Sequence, residues 1–355
     1  MTPTETDLGG RGAVHRFQSG TSDKRGRCSA PVGLPEDAAV IQRIGFNLLQ
    51  VLVVMACAPL MAGILARLKE IVQSKRGPSV FQPYRDLRKL FHKDEVVSEE
   101  ASWIFRVTPY VVFVAPIFVT TLIPVLTTYP LFFAFMGDML GGGFVLALGG
   151  FFATLAAIDT ANPYGPMGAS RTRMVGFLAE PVFMIVFFTV SFVAGSTIPY
   201  IVQQHWVTPL SNFFAPSHVL LVIAFTMLIL AEAGRIPVDN PTGHFELAMI
   251  DESKSLEYSG MGMALMKWGG QMKFFVLICI LLNVLVTPWG LASSHHVGGV
   301  LLAIPLVLFK SVLFLLVLVV IESSLAKLRL FRVSEFLGAA FVTSVVAMIS
   351  GLLHF

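Results

Sequence analysis

Residues Val300 to Ala326 read VLLAIPLVLFKSVLFLLVLVVIESSLA, a run whose ionisable side chains are Lys310 and Glu322 alone. An α-helix of about 20 apolar residues crosses the roughly 30 Å of hydrocarbon in a bilayer. The stretch is longer than that, so it reads as a membrane-spanning helix.

Outward from this run the pattern repeats. Further apolar windows lie at Ile44 to Leu68, Val107 to Thr128, Leu140 to Ile158, Met174 to Ile198, Pro216 to Ala233, Trp268 to Trp289 and Val333 to Leu353. Spanning backbone in lipid must be helical or form a closed barrel, because an unpaired polar group costs several kcal/mol there, and the alternation of barrel strands is absent. The fold class is therefore all-α: a polytopic integral membrane protein with about eight transmembrane helices. Composition agrees, with 55% hydrophobic and 13% charged residues in 355 and a mean hydropathy of +0.75; soluble domains carry about 25% charged residues. Cys28, Cys57 and Cys279 are far apart and form no CxxC. Iron-sulfur, zinc and c-type haem sites thus have no sequence support, and redox chemistry belongs in another subunit. The expected surroundings are the lipid bilayer and protein partners, with no nucleic acid.

Lys and Arg set the orientation. The connection from Lys69 to Arg106 holds Lys75, Arg76, Arg85, Arg88, Lys89 and Lys93; later alternate connections hold Arg171 and Arg173, then Arg235 and Lys254, then Lys327, Arg329 and Arg332. The intervening connections at 129–139, 199–215 and 290–299 hold neither Lys nor Arg, so they face outside, which places both chain ends outside. Residues 1–43 disagree, carrying Arg11, Arg16, Lys24, Arg25, Arg27 and Arg43. Rich in Gly, Ser, Thr and charge, and lacking an apolar core of signal-peptide length, this segment reads as a disordered tail or as a start placed too early. The transmembrane domain is 44–355.

The first inside connection contains KRGPSVFQPYRDLRKLF, Lys75 to Phe91. After Gly77-Pro78 and Pro83 break the chain, Tyr84, Leu87, Leu90 and Phe91 recur at helical spacing, with Arg85, Arg88, Lys89 and His92 opposite. This is a short basic amphipathic helix for the membrane surface, its cations toward lipid phosphates or an acidic partner.

Ionisable residues inside apolar windows cost roughly 2.5–3.5 kcal/mol each at a helix centre. Glu180, followed by Pro181, and Glu232, Lys310 and Glu322 all bear that cost. Either they form interhelical ion pairs or they line a proton path whose carboxyl and amine groups exchange protons near neutral pH. The connection Glu232 to Tyr258, EAGRIPVDNPTGHFELAMIDESKSLEY, concentrates acids between two apolar windows. Asn240 and Pro241 are suited to start a helix running toward Tyr258. On it Glu246, Ile250, Ser253 and Glu257 would share a face, the two glutamates about 16 Å apart, too far for a shared proton but suited to a water-bridged relay. Asp251, Glu252 and Lys254 would form a solvated face.

AEAGRIPVDNPTGHFELAMIDESKSLEYSG resembles the signature loop of the respiratory complex I subunit 1 family, and KRGPSVFQPYRDLRKLF resembles its hydrogenase-linked, formate hydrogenlyase-like branch. DTANPYGPMGASRTRMVGFLAEPVF, with Asp159, Gly168, Arg171 and Glu180, and ESSLAKLRLFRVSEFLG add to the likeness. It covers nearly everything after Arg43. The resemblance implies a non-catalytic membrane anchor between a soluble nickel-iron hydrogenase module and antiporter-like membrane subunits, in a bacterial cytoplasmic membrane. The nickel-iron centre and iron-sulfur clusters would sit in the hydrogenase large and small subunits. Carried over, Asp159, Glu180, Glu232, Asp239, Glu246 and Glu257 would make the proton path, joined by Lys310 and Glu322 from the burial argument. Arg76, Tyr84, Arg85, Arg88 and Lys89, with Arg235, would meet the soluble partners. The quinone-reducing pattern differs, with a longer turn before the surface helix than Arg76-Gly77-Pro78 and a different run at Val238-Asp239-Asn240-Pro241. Two other classes stay open: a quinone-site subunit of a complex I-like dehydrogenase and a stand-alone secondary transporter, although no inverted repeat is visible. His295-His296 has no assigned role.

Overall fold

Prolines inside four apolar helices decide how this bundle is held together. The computed structural model describes residues 36–75, 77–130, 137–160, 162–207, 214–239, 250, 252–293 and 297–353. Contacts separate residues 1–39 from 40–355, and the second unit is the helical bundle. Its helices are α1 (Glu36–Val72), α2 (Gln82–Phe91), α3 (Trp103–Leu122), α4 (Met139–Ile158), α5 (Tyr164–Ala194), α6 (Pro199–Val207), α7 (Pro216–Glu232), α8 (Gly260–Cys279), α9 (Val297–Ser324) and α10 (Leu330–Leu353). Seven are long and apolar enough to cross a membrane, and α7 is a shorter apolar helix. Each predicted window thus contains a helix, and among the described residues there is no strand, only an isolated bridge between Thr127 and Ala292.

A proline removes the backbone N–H that would bond the carbonyl four residues earlier. In α1 Pro59 frees Met55, and the Trp268 indole of α8 donates to that carbonyl at 3.0 Å. The Tyr84 hydroxyl of α2 donates to the next carbonyl, Ala56. In α3 Pro109 frees Phe105, whose carbonyl accepts from the Tyr258 hydroxyl at 2.9 Å while the two rings stack at 4.0 Å. Pro116 frees Val112, and here α8 presents Gly269, where a Cβ would lie 2.6 Å from that carbonyl oxygen. Segment Tyr258 to Gly269 therefore docks on three carbonyls that prolines expose, each costly to leave unmet in lipid.

α3 packs on α4 and α8, α4 on α5, and α10 on α5 and α7. The predicted span Val107 to Thr128 is corrected: helix α3 runs Trp103–Leu122, and the chain continues without helix through 123–128, of which 123–127 are buried. Buried amides make that possible. Gln50 of α1 donates to the carbonyls of Thr120 and Ile123 at 2.6 and 3.0 Å and accepts from the Leu126 amide at 3.3 Å. Asn283 donates to the carbonyls of Pro124 and Val125, both at 3.1 Å. Asn283 lies in Ile280–Val286, a π-helical turn continuing α8, so that span starts at Gly260 rather than Trp268.

The surface helix is present. Leu87 of α2 is buried, Phe91 meets Trp268 edge-on at 6.2 Å, and Arg85, Arg88 and Lys89 are exposed. The apolar stripe of α2 thus rests on α1 and α8. Apolar residues such as Phe177, Phe309 and Val320 are largely exposed on the spanning helices, which in water would be a liability and in lipid is the solvated state.

Candidate functional site

At the end of the bundle that carries α2 and the Glu232–Tyr258 connection, paired charges cluster. Glu232 terminates α7, and its carboxylate accepts from Lys273 Nζ of α8 at 2.6 Å, both side chains mostly buried. On α5, Glu180 lies 3.5 Å from Arg173, whose guanidinium stands 5.4 Å over the Phe151 ring of α4. Asp239 is almost fully buried; one oxygen accepts from Lys327 at 2.9 Å and the other from the Ile250 amide at 3.0 Å. Glu322 of α9 is buried 3.1 Å from Lys69 at the end of α1.

Three cavities adjoin the Glu180, Glu232 and Asp239 carboxylates, whereas Lys69 and Glu322 line none of them. One of about 390 Å³ lies between α2, α8 and the acidic connection, lined by Leu87, Leu90, Glu232, Arg235, Asp239 and Lys273 among others. One of about 460 Å³ separates α4 from α5 and reaches Arg173, Glu180, Glu232 and Lys273. The third, about 70 Å³, is lined by Glu180, Glu232, Asp239, Lys254 and Lys273. Glu232 and Lys273 face all three. Glu180, Glu232 and Asp239, chosen from sequence, therefore meet at the smallest of the three cavities, and each carboxylate has a cation beside it.

Other predicted residues stand elsewhere. Asp159 ends α4 and accepts from the Ser102 amide at 2.8 Å, steadying the start of α3. Glu257 accepts from the Asn162 side chain, beside Tyr258. Burial, first, then the charges of Asp159 and Glu95, push the Tyr258 hydroxyl far above its usual range, while a bond to Thr108 opposes this. Lys310 lines none of the three cavities. Its Nζ donates to the carbonyls of Thr287, at 2.7 Å, and Trp289, at the end of the α8 extension farthest from Tyr258. There it caps carbonyls left without helical partners.

Arg235, expected to meet the soluble partners, is partly buried: its guanidinium lies 5.2 Å over the Phe274 ring, its Nε is buried without a partner, and burial lowers its pKa against the opposing pull of Glu322 and Glu252. The Tyr84 hydroxyl is likewise turned inward to Ala56. The expected regular helix leading to Tyr258 is absent where the structure describes that segment: residues 252–255 form a 3₁₀ turn, followed by a turn at 256–257. Ile250, Ser253 and Glu257 therefore share no α-helical face. Glu246, Arg76, Asn240, Pro241, Asp251 and the pair His295-His296 lie outside the described residues.

Lys273, Lys327, Lys69 and Arg173 were not foreseen as partners. For Lys273 the signal was available, since it is ionisable and inside an apolar window, as Lys310 is. Among the described residues no group of three or more His, Cys, Asp or Glu is placed to hold a metal ion.

Residues 46–352 match the family model described as NADH dehydrogenase. Formate hydrogenlyase subunit 4 of Escherichia coli (strain K12) is 35% identical over 309 residues, 86% of this chain and 97% of the relative. Hydrogenase-4 component C of the same organism is 31% identical over 309 residues, 86% of this chain and 94% of that protein. Among solved structures, a chain of the membrane-bound sulfane sulfur reductase, an archaeal respiratory membrane complex, matches with a TM-score of 0.74 at 18% identity, covering 88% of this chain and 99% of its own; that likeness is one of fold. A membrane bundle that is helical among the described residues, a family model matched over residues 46–352 and relatives covered almost end to end place this chain in the NADH dehydrogenase family of complex I subunit 1-like membrane proteins.

Proposed function

We propose that this chain is the membrane anchor and proton-coupling subunit of a membrane-bound nickel-iron hydrogenase complex of formate hydrogenlyase type. In this reading the hydrogenase large and small subunits, with their nickel-iron and iron-sulfur centres, dock over α2 and the acidic connection. Antiporter-like subunits adjoin within the bilayer, a bacterial cytoplasmic membrane. Exposed Arg85, Arg88 and Lys89 supply cations for the soluble partners. The clustering of Lys- and Arg-rich connections supports an inside position for that end, with both chain ends outside.

The observation that carries the reading is the convergence on Glu232 and Lys273 of the cavity beneath α2 and the small cavity that also reaches Glu180 and Asp239. A plain anchor has no use for water-sized space around buried ion pairs, whose desolvation is costly. Protons would move from the cavity beneath α2, past Asp239 and Glu232, to Glu180 within the bilayer. Lys310 has no place on that route.

Affinity purification through a tag on this chain tests the proposal. Nickel recovered at about one atom per chain, with hydrogen-linked activity, is the expected result; the chain recovered alone and active as a transporter overturns it. The 390 Å³ cavity between α2 and α8 favours one second reading, a quinone site, because apolar Leu87, Leu90 and Phe274 share its lining with charged groups. Recovery of a flavin-containing, quinone-active module would select it.

A further inference from the structure

The largest of the three cavities, about 460 Å³, is also the least polar. Its walls are Leu140, Phe144, Leu148 and Phe151 of α4 and Phe183 and Phe187 of α5. Phe144 and Leu148 are 56% and 46% exposed on a helix that spans the membrane, so the mouth lies within the depth of the hydrocarbon. The floor is made by Gly143, where the Phe183 ring leaves no room for a Cβ, and by Ala147. Phe183 and Phe187 hold each other edge-on at 4.4 Å and keep the cleft open behind them. Only its inner end is polar, with Arg173, Glu180, Glu232 and Lys273.

We propose that this cleft is a binding site for one long acyl chain of a bilayer lipid. A rigid apolar cleft facing hydrocarbon gains dispersion contacts when a chain enters, and loses them when empty. Its volume lies within the range of about 300–1,000 Å³ over which proteins enclose small apolar ligands. The apolar side chains of Leu140, Phe144, Leu148 and Phe183 along the cleft suit the uncharged tail rather than a charged headgroup. A seated chain also excludes water from the bilayer side of the Arg173–Glu180 and Glu232–Lys273 pairs. The inference depends on the chain spanning a membrane and not on the partners proposed above.

Photolabelling tests it on the purified complex, reconstituted in phosphatidylethanolamine and phosphatidylglycerol vesicles doped with a phospholipid bearing a diazirine near the chain end. After irradiation and digestion, adducts on residues 140–151 and 180–187 should exceed those on the equally apolar exposed face of α9, at Phe309 and Leu313, by about threefold or more, a preference just above thermal energy. Ala147→Phe, or Met184→Phe if the first fails to assemble, should abolish the excess and leave α9 labelling unchanged. Labelling no denser than on α9, or an excess that survives both substitutions, overturns the proposal. So does loss of the adduct on adding a long-chain quinone, or capture of a neighbouring polypeptide by a photoreactive amino acid at position 147.

Discussion

Lys273 on α8 and Glu232 at the end of α7 form an ion pair of 2.6 Å that faces every cavity of the charged cluster. Lys273 therefore fixes the Glu232 carboxylate at the place where the cavities meet.

Glu232→Gln removes the carboxylate 2.6 Å from Lys273, and Lys273→Met removes the ammonium from Glu232. The double variant should lose less thermal stability than the two single losses added together, with a coupling of about 0.5–3 kcal/mol between them. Simple additivity would deny the pair a common role. In the complex, both single variants should assemble yet reduce proton-coupled turnover.

The partners of Asp239 include Lys327 and the Ile250 amide. Asp239→Ala should therefore loosen the acidic connection more than Lys327→Ala does. An orphaned buried amide costs about 1–3 kcal/mol, so hydrogen exchange at Ile250 should quicken roughly 10-fold or more in Asp239→Ala. Equal effects of the two substitutions would show that the ion pair, not the amide, holds the connection.

Trp268 donates to the carbonyl that Pro59 leaves free. Trp268→Phe should cost about 1 kcal/mol or more through that lost bond. In a Pro59→Ala background residue 59 regains its N–H and can bond Met55 itself, so the same substitution should cost less. A thermal-denaturation cycle over the four proteins measures the difference; an unchanged cost would disconnect the proline from the indole.

Glu180→Gln and Lys310→Met separate route from scaffold. The first should preserve assembly and lower coupling, because Glu180 faces two of the cavities. The second should leave coupling intact and lower stability, because Lys310 caps the Thr287 and Trp289 carbonyls. Proton uptake by vesicles and detergent melting curves read the two effects independently.

Tyr258 should resist ionisation well past the ordinary tyrosine range of about pH 10. A hydroxyl with a raised folded pKa contributes stability that is complete below the unfolded pKa and lost as pH rises through the folded one. Ultraviolet titration should thus find one tyrosine that ionises only with unfolding at alkaline pH, absent in Tyr258→Phe.

Hydropathy alone established the membrane bundle and about eight helices, because each helix must satisfy its own backbone in lipid and so leaves a long apolar run. Burial cost likewise marked Glu180, Glu232 and Glu322, and the acidic motif marked Asp239. Which cation meets each acid was decided only by the fold: Lys273 comes from α8, Lys327 from beyond α9, and Lys69 from α1. Helical spacing failed near Glu257 because Ile250 is tethered from outside its own segment, its amide to Asp239 and its carbonyl to Thr172 at 2.8 Å. The contacts of Lys310 with the Thr287 and Trp289 carbonyls were likewise decided by the fold. A buried charge announces a cost along the chain, but which distant carbonyl or carboxylate relieves it is a property of packing.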